Sequence, residues 1–183
     1  MKLEPLPPTF AARDPIVVAK ALLGQVLVHR VKGVARVGRI VETEAYLGPH
    51  DLACHSSKGR TARTEVMFGA PGRSYVFLIY GMHHCMNVVT GDGAAVLLRA
   101  VEPVEGLADG ARGDGPGRLT KLLGISRAQN DLPLNEAPLF LARGARVRSI
   151  GVSARIGVDY AGQWAKAPLR FFDERSKHVS SSR

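Results

Sequence analysis

The side chains best placed to do chemistry are two glutamates, Glu42 and Glu44, in the stretch RIVETEAYLG, residues 39–48. An extended backbone alternates its side chains. Ile40, Glu42, Glu44 and Tyr46 are therefore predicted on one face, and Arg39, Val41, Thr43 and Ala45 on the other. Residues two apart on a strand hold their β-carbons roughly 7 Å apart. Paired carboxylates at such separations suit hydrolysis of a glycosidic bond, where one acid activates water and the other supports it. Tyr46 would add a stacking surface, and nearby His55 a second titratable group. The same two acids would serve equally well as the polar side of an amphipathic strand.

Other residues break their local pattern. Arg99 interrupts the apolar run AAVLLRAVEP, and a buried arginine needs an acid or phosphate partner. Glu42 and Glu44 are the candidates. Asn87, inside HHCMNVV, must find a partner or line a pocket. Tyr80 and Met82 flank Gly81 between two β-rich arms, which reads as a hairpin with these residues at its tip. An aromatic or apolar wedge on a hairpin can enter a minor groove and unstack bases. The alternative is that Tyr80 lies in the core with Leu78 and Val76.

Cys54, His55, His83, His84 and Cys85 invite a zinc reading. Strand alternation argues against it, because His83 and Cys85 would face away from His84. The zinc-deaminase and GxSxG signatures are absent as well.

The elements that must position these residues follow from pattern. In RDPIVVAKALLGQ, Asp14 can cap a helix, Pro15 suits its first position and Gly24 its exit. VLVHRV and VARVGRIVETEAYL read as strands joined at Lys32–Gly33. A polar loop runs through GPHDLACHSSKGRTARTEVM. GRLTKLLGI is a short helix ending at Gly124. APLFLARGARV, SARIGVDYAG and KAPLRFF read as further strands. Strands joined by tight turns outnumber helices, so the expected class is α+β with a mainly antiparallel sheet. Residues 1–175 are read as one domain and 176–183 as a disordered tail.

The chain has 183 residues, with 25 Lys and Arg against 16 Asp and Glu, for a net charge of +9. Such an excess points to a polyanion, most often nucleic acid. Arg60, Arg63, Arg118 and Lys121 are candidate phosphate contacts. Two isolated cysteines suggest free thiols. The N-terminal residues have no apolar signal core, and no apolar run approaches membrane-spanning length. The expectation is a soluble, cytoplasmic monomer with no membrane partner.

Three long segments carry a more specific signal: VGRIVETEAYLGPHDLACHSSKGRT, MFGAPGRSYVFLIYGMHHCMNVV and GDGAAVLLRAVEPVEG. Together with GPGRLTKLLGI and RIGVDYAGQWAKAPLRFF, they closely resemble the alkyladenine (3-methylpurine) DNA glycosylases, from about Ala11 to Phe172. The resemblance implies hydrolysis of the N-glycosidic bond of damaged purines in double-stranded DNA, approached from the minor groove, with no metal or organic cofactor. In a bacterium that would place the protein at the nucleoid. It implies a curved sheet like that of the methionyl-tRNA formyltransferase C-terminal domain, with a protruding hairpin.

By the same resemblance, Glu44 stands where the family has its general base, and Arg99 where an arginine helps hold the water. Tyr46, His55 and Phe77 stand as walls of the base pocket, Asn87 as its floor, and Val158 where the main chain reads the purine edge. Tyr80 resembles the intercalating tyrosine. Phe77 stands where several members carry tyrosine, and His83 where others carry an aromatic. Glu42 would then be structural. No lysine sits in the matched catalytic motif, so a monofunctional enzyme is implied. The runner-up is a non-catalytic nucleic-acid-binding relative of the formyltransferase domain.

Overall fold

Eight strands, two short α-helices and five 3₁₀ segments make up the regular structure of the computed structural model, which describes residues 3–181. Helix α1 (Pro15–Leu22) begins where Asp14 Oδ1 accepts from the backbone N–H groups of Ile16 and Val17, at 2.8 and 3.2 Å. Strands β1 (Val26–Val31) and β2 (Val34–Tyr46) form a hairpin. Its turn residues, Lys32 and Gly33, both have positive φ (49° and 82°), which matches the twist of the flanking strands. Strands β3 (Ser74–Ile79), β4 (His83–Gly91) and β5 (Ala94–Glu105) follow. Helix α2 (Pro116–Leu123) then stops at Gly124, in the left-handed region. β6 (Leu139–Ala142), β7 (Ile150–Ser153) and β8 (Arg170–Asp173) complete the sheet.

The sheet order is β3-β4-β5-β2-β1-β6, with β8 also on β2 and β7 on β8, and these strand pairs are antiparallel. The expected α+β class is what the chain adopts. Val18, Ala19 and Leu22 of α1 and Leu119 and Leu123 of α2 share one buried cluster with Ala45, Val96, Leu98 and Val101 of the sheet. Burying each such leucine contributes roughly 1.5–3 kcal/mol. Thr43 points to the same side, its hydroxyl donating to the Ala19 carbonyl at 2.9 Å. The opposite side of β2 is thereby left for Glu42, Glu44 and Tyr46.

Two irregularities aim the site. Ile40 faces Val101 and Glu42 faces Ala100, so Val41 is an extra residue in β2. Glu42 faces Ala100 and Thr43 faces Leu98, so Arg99 is an extra residue in β5. A bulge re-aims the side chains around it. Ile40 consequently does not share a face with Glu44, as plain alternation predicts. It lies in the α1 cluster with Ala45.

Two other expectations change. SARIGVDYAG is not a strand: β7 ends at Ser153, and residues Asp159–Lys166 form 3₁₀ turns. The polar loop after β2 is packed, with Asp51, Ala53, Cys54, Ser56 and Met67 buried, because its carboxylate and hydroxyls find partners inside. Within residues 176–181, one side chain reaches back to the sheet. Ser180 is buried and hydrogen-bonded to Glu42, at 2.6 Å from its backbone N–H and 2.8 Å from its hydroxyl. The last two residues of the expected tail lie outside the described range.

Candidate active site

Glu44 is the centre. Its side chain has no exposed surface. Oε2 accepts from the Tyr46 hydroxyl at 2.8 Å, and Oε1 from the Ile156 backbone N–H at 2.8 Å. The Arg99 Nη1 lies 3.4 Å from Oε1. Burial pushes the Glu44 carboxyl above its ordinary range, against the charge of Arg99 and the two hydrogen bonds. Burial and the Glu44 charge together push the Tyr46 phenol well above its usual value.

Glu42 is equally buried but differently occupied. Arg99 Nε (3.0 Å), Arg170 Nε (2.7 Å) and the Ser180 hydroxyl (2.8 Å) all donate to its Oε1. The Ser180 N–H donates to Oε2. Arg99 thus bridges both acids, which resolves the choice of partner that the sequence leaves open.

Beside Glu44 lies a cavity of about 140 Å³. Its lining includes Tyr46, His55, Phe77, Asn87 and Val158, all singled out above, and Arg99. Glu44 itself sits one layer behind, and its three partners, Tyr46, Ile156 and Arg99, line the cavity. Alternation along β3 turns Tyr75 and Phe77 to the same side, with rings 5.3 Å apart. His55 meets Phe77 edge-on at 4.5 Å and shares a 2.9 Å hydrogen bond between Nδ1 and the Tyr75 hydroxyl. Burial, helped by the charge of Arg63, lowers the His55 pKa to about 4. The ring is therefore neutral at physiological pH. Asn87 donates through Nδ2 to the Tyr75 carbonyl at 3.0 Å, so it both finds a partner and lines the cavity. Cys54 and Cys85 also line it and are free thiols, and burial pushes Cys85 up to about 11.

Around the mouth, Tyr80 is 85% exposed and Met82 70% exposed in the three residues that join β3 to β4. The core placement of Tyr80 is thereby excluded. Tyr80 adjoins Ile79, which lines the cavity. Arg63 lies over the Phe77 ring at 5.1 Å. Arg60 is exposed and paired with Glu65 at 3.1 Å. Arg118 and Lys121 are exposed on α2, which starts at the cavity-lining Pro116, and Arg118 pairs with Asp114 at 3.2 Å.

Sequence reasoning missed the support behind Tyr46. Asp51 and Arg155 form a fully buried bidentate pair, at 2.6 and 2.9 Å. Arg155 also donates to the Ala45 carbonyl at 2.9 Å and stacks on the Tyr46 ring at 4.6 Å. Burial works to raise the Asp51 pKa, but the Arg155 hydrogen bonds and two backbone N–H groups lower it on balance. The pair fixes the chain so that the next residue, Ile156, presents its N–H to Glu44. The signal available was the one that marked Arg99, a lone arginine among apolar residues. It was obscured by reading that stretch as a strand.

Flat aromatic walls suit a planar heterocycle, and a carboxylate behind them suits general-base work. Under a rim of arginines, that combination marks a class, the hydrolases that act on nucleic-acid bases. Comparison narrows it. The family model described as "Methylpurine-DNA glycosylase (MPG)" matches residues 9–177. A Myxococcus xanthus protein bearing the name "Putative 3-methyladenine DNA glycosylase" is 61% identical over 180 residues, covering 96% of this chain and 93% of its own. A Legionella pneumophila (strain Lens) protein of the same name is 49% identical, over 98% of this chain and 100% of its own. The chain belongs to the methylpurine-DNA glycosylase family, hydrolases of N-glycosyl bonds in DNA.

Proposed function

We propose that this chain is a monofunctional glycosylase that extrudes an alkylated or deaminated purine from duplex DNA and hydrolyses its N-glycosidic bond with a water activated by Glu44. The observation that carries the reading is the Glu44 carboxylate, buried directly behind the cavity wall with Arg99 beside it. As the base leaves, the sugar gains positive charge, which a nearby carboxylate stabilises. An ionised carboxylate accepts about four hydrogen bonds. Glu44 receives two, with Arg99 at a longer distance, so it retains capacity for a water.

Tyr46, His55 and Phe77 would hold the extruded base, with Asn87 beneath and the Val158 main chain at the purine edge. A neutral His55 adds no positive charge near a cationic leaving base. Tyr80, with Met82, would enter from the minor groove and fill the vacated space, offsetting part of the few kcal/mol that flipping costs. Arg60, Arg63, Arg118 and Lys121 would hold phosphates, making affinity fall with salt. The enzyme would act as a monomer and leave an intact abasic site.

Glu44→Gln is the deciding variant. It is expected to bind duplex carrying 7-methylguanine as the parent does and to release no base. If the parent binds such duplex equally well and also releases no base, the chain is a binding module. Duplexes carrying 3-methyladenine, 7-methylguanine, ethenoadenine or hypoxanthine, compared in parallel, rank the substrates. Strand breakage without an added endonuclease or alkali would contradict the monofunctional assignment.

A further inference from the structure

We propose that the segment after β8 is a positioning element of the active site, with Ser180 the residue that anchors Glu42 and so turns Arg99 toward Glu44. The proposal rests on the reading of Glu44 as the base.

The chain leaves β8 through a tight turn, in which Ser176 N–H donates to the Asp173 carbonyl at 3.1 Å and His178 N–H to the Ser176 hydroxyl at 3.2 Å. That path delivers Ser180 to Glu42, 138 positions away in sequence. Ser180 is buried. It contributes two donors to Glu42, and its carbonyl accepts from Arg170 Nη2 at 3.2 Å. Its hydroxyl oxygen also lies 3.5 Å from Arg99 Nη2.

Each nitrogen of Arg99 is therefore assigned. Nε is on Glu42, Nη2 faces Ser180, and Nη1 is left toward Glu44. A buried carboxylate that loses two donors has lone pairs to fill, and a guanidinium fills them best in a two-pronged pairing. Without Ser180, the neighbouring Arg99 is the group free to do so. Pairing both its prongs with Glu42 rotates Nη1 away from Glu44. The base would then lose the strongest influence opposing its burial.

The charged and titratable groups around Glu44 are Glu42 and Tyr46 on β2, Arg99 on β5, Cys85 on β4, and Arg155 and Tyr160 on the segment after β7. Of these, Glu42 and Arg99 contact Ser180 directly, and Arg99 is the one that also reaches Glu44.

The test is the pH profile of single-turnover excision of 7-methylguanine by full-length variants. Ser180→Ala removes the hydroxyl, and Ser180→Pro removes both donors. The acid limb is expected to move toward neutrality by about half a pH unit in the first and about one in the second. Rates should recover at high pH, and Ser180→Thr, which keeps both donors, should restore the parent profile. A rate loss equal at every pH would mean a merely structural role and overturn the proposal, as would unmoved profiles. If Ser180→Pro fails to fold, Ser180→Ala alone decides. Full excision by Glu44→Gln would instead remove the base assignment, and the positioning claim with it.

Discussion

Glu42 and Glu44 are two residues apart on one strand, equally buried, and share Arg99, yet their surroundings differ in kind. Glu42 is saturated: two arginines and both donors of Ser180 occupy its oxygens. Glu44 has a phenol, one backbone N–H and the far edge of Arg99, and each of these partners borders the cavity. Two acids of one type are thus divided by what faces them. The saturated one fixes the geometry of the arginine. The other keeps acceptor capacity one layer behind the cavity wall, and burial holds its carboxyl above the ordinary range. A carboxylate of this second kind stores basicity that a solvated one lacks.

If that division is right, the two positions should fail differently. Glu44→Gln should lower excision by roughly 10²–10⁴-fold, the scale of a lost general base, while the urea midpoint moves little. Glu42→Gln should do the reverse first. It removes the charge that two buried arginines share, and breaking a buried pair costs about 3–5 kcal/mol. Urea denaturation measures this directly. A Glu42→Gln protein less than about 1 kcal/mol weaker than the parent would mean the cluster is not structural.

The sequence showed one half of this contrast and hid the other. Glu44, Arg99 and Asn87 were legible because each violates a local pattern, a charge or amide inside an apolar run. The helices were legible from Asp14, Pro15 and Gly124. What could not be read was register. The bulges at Val41 and Arg99 have no composition signal, because cross-strand packing decides which residue is left over. The other hidden part is pairing over distance. Asp51 meets Arg155 across 104 positions and Glu42 meets Ser180 across 138. Such contacts follow from the closed fold, so a serine near the chain's end looks like any polar tail residue.

A smaller effect separates the cavity's mouth from its interior. Tyr80 is solvent-exposed, so Tyr80→Ala should leave the urea midpoint unchanged. Stacking on a base is worth about 1–3 kcal/mol, so the variant should bind lesion duplex roughly tenfold more weakly and excise more slowly. Unchanged binding would remove Tyr80 from the interface. Arg63, at the rim over Phe77, gives a companion measurement: Arg63→Gln should lower the salt dependence of binding by about one phosphate contact.

The smallest effect concerns His55, and its sign follows from linkage. Its pKa falls from 6.5 to about 4 on folding, chiefly through burial and then the charge of Arg63. Between those values the unfolded chain binds more protons than the folded one, so stability rises with pH across that window. The stabilisation from keeping His55 neutral is complete above about pH 6.5 and lost as pH falls through about 4. Replacing the ring with one that cannot titrate, His55→Phe, should therefore flatten the dependence of Tm on pH between 4 and 6.5. The acid limb of excision should stay, since the proposed mechanism assigns that limb to Glu44. The two profiles can be recorded on the same protein. If His55→Phe moved the excision limb and left the stability slope intact, the titrating group near the cavity would be the histidine, and the contrast between the two glutamates would have to be redrawn around it.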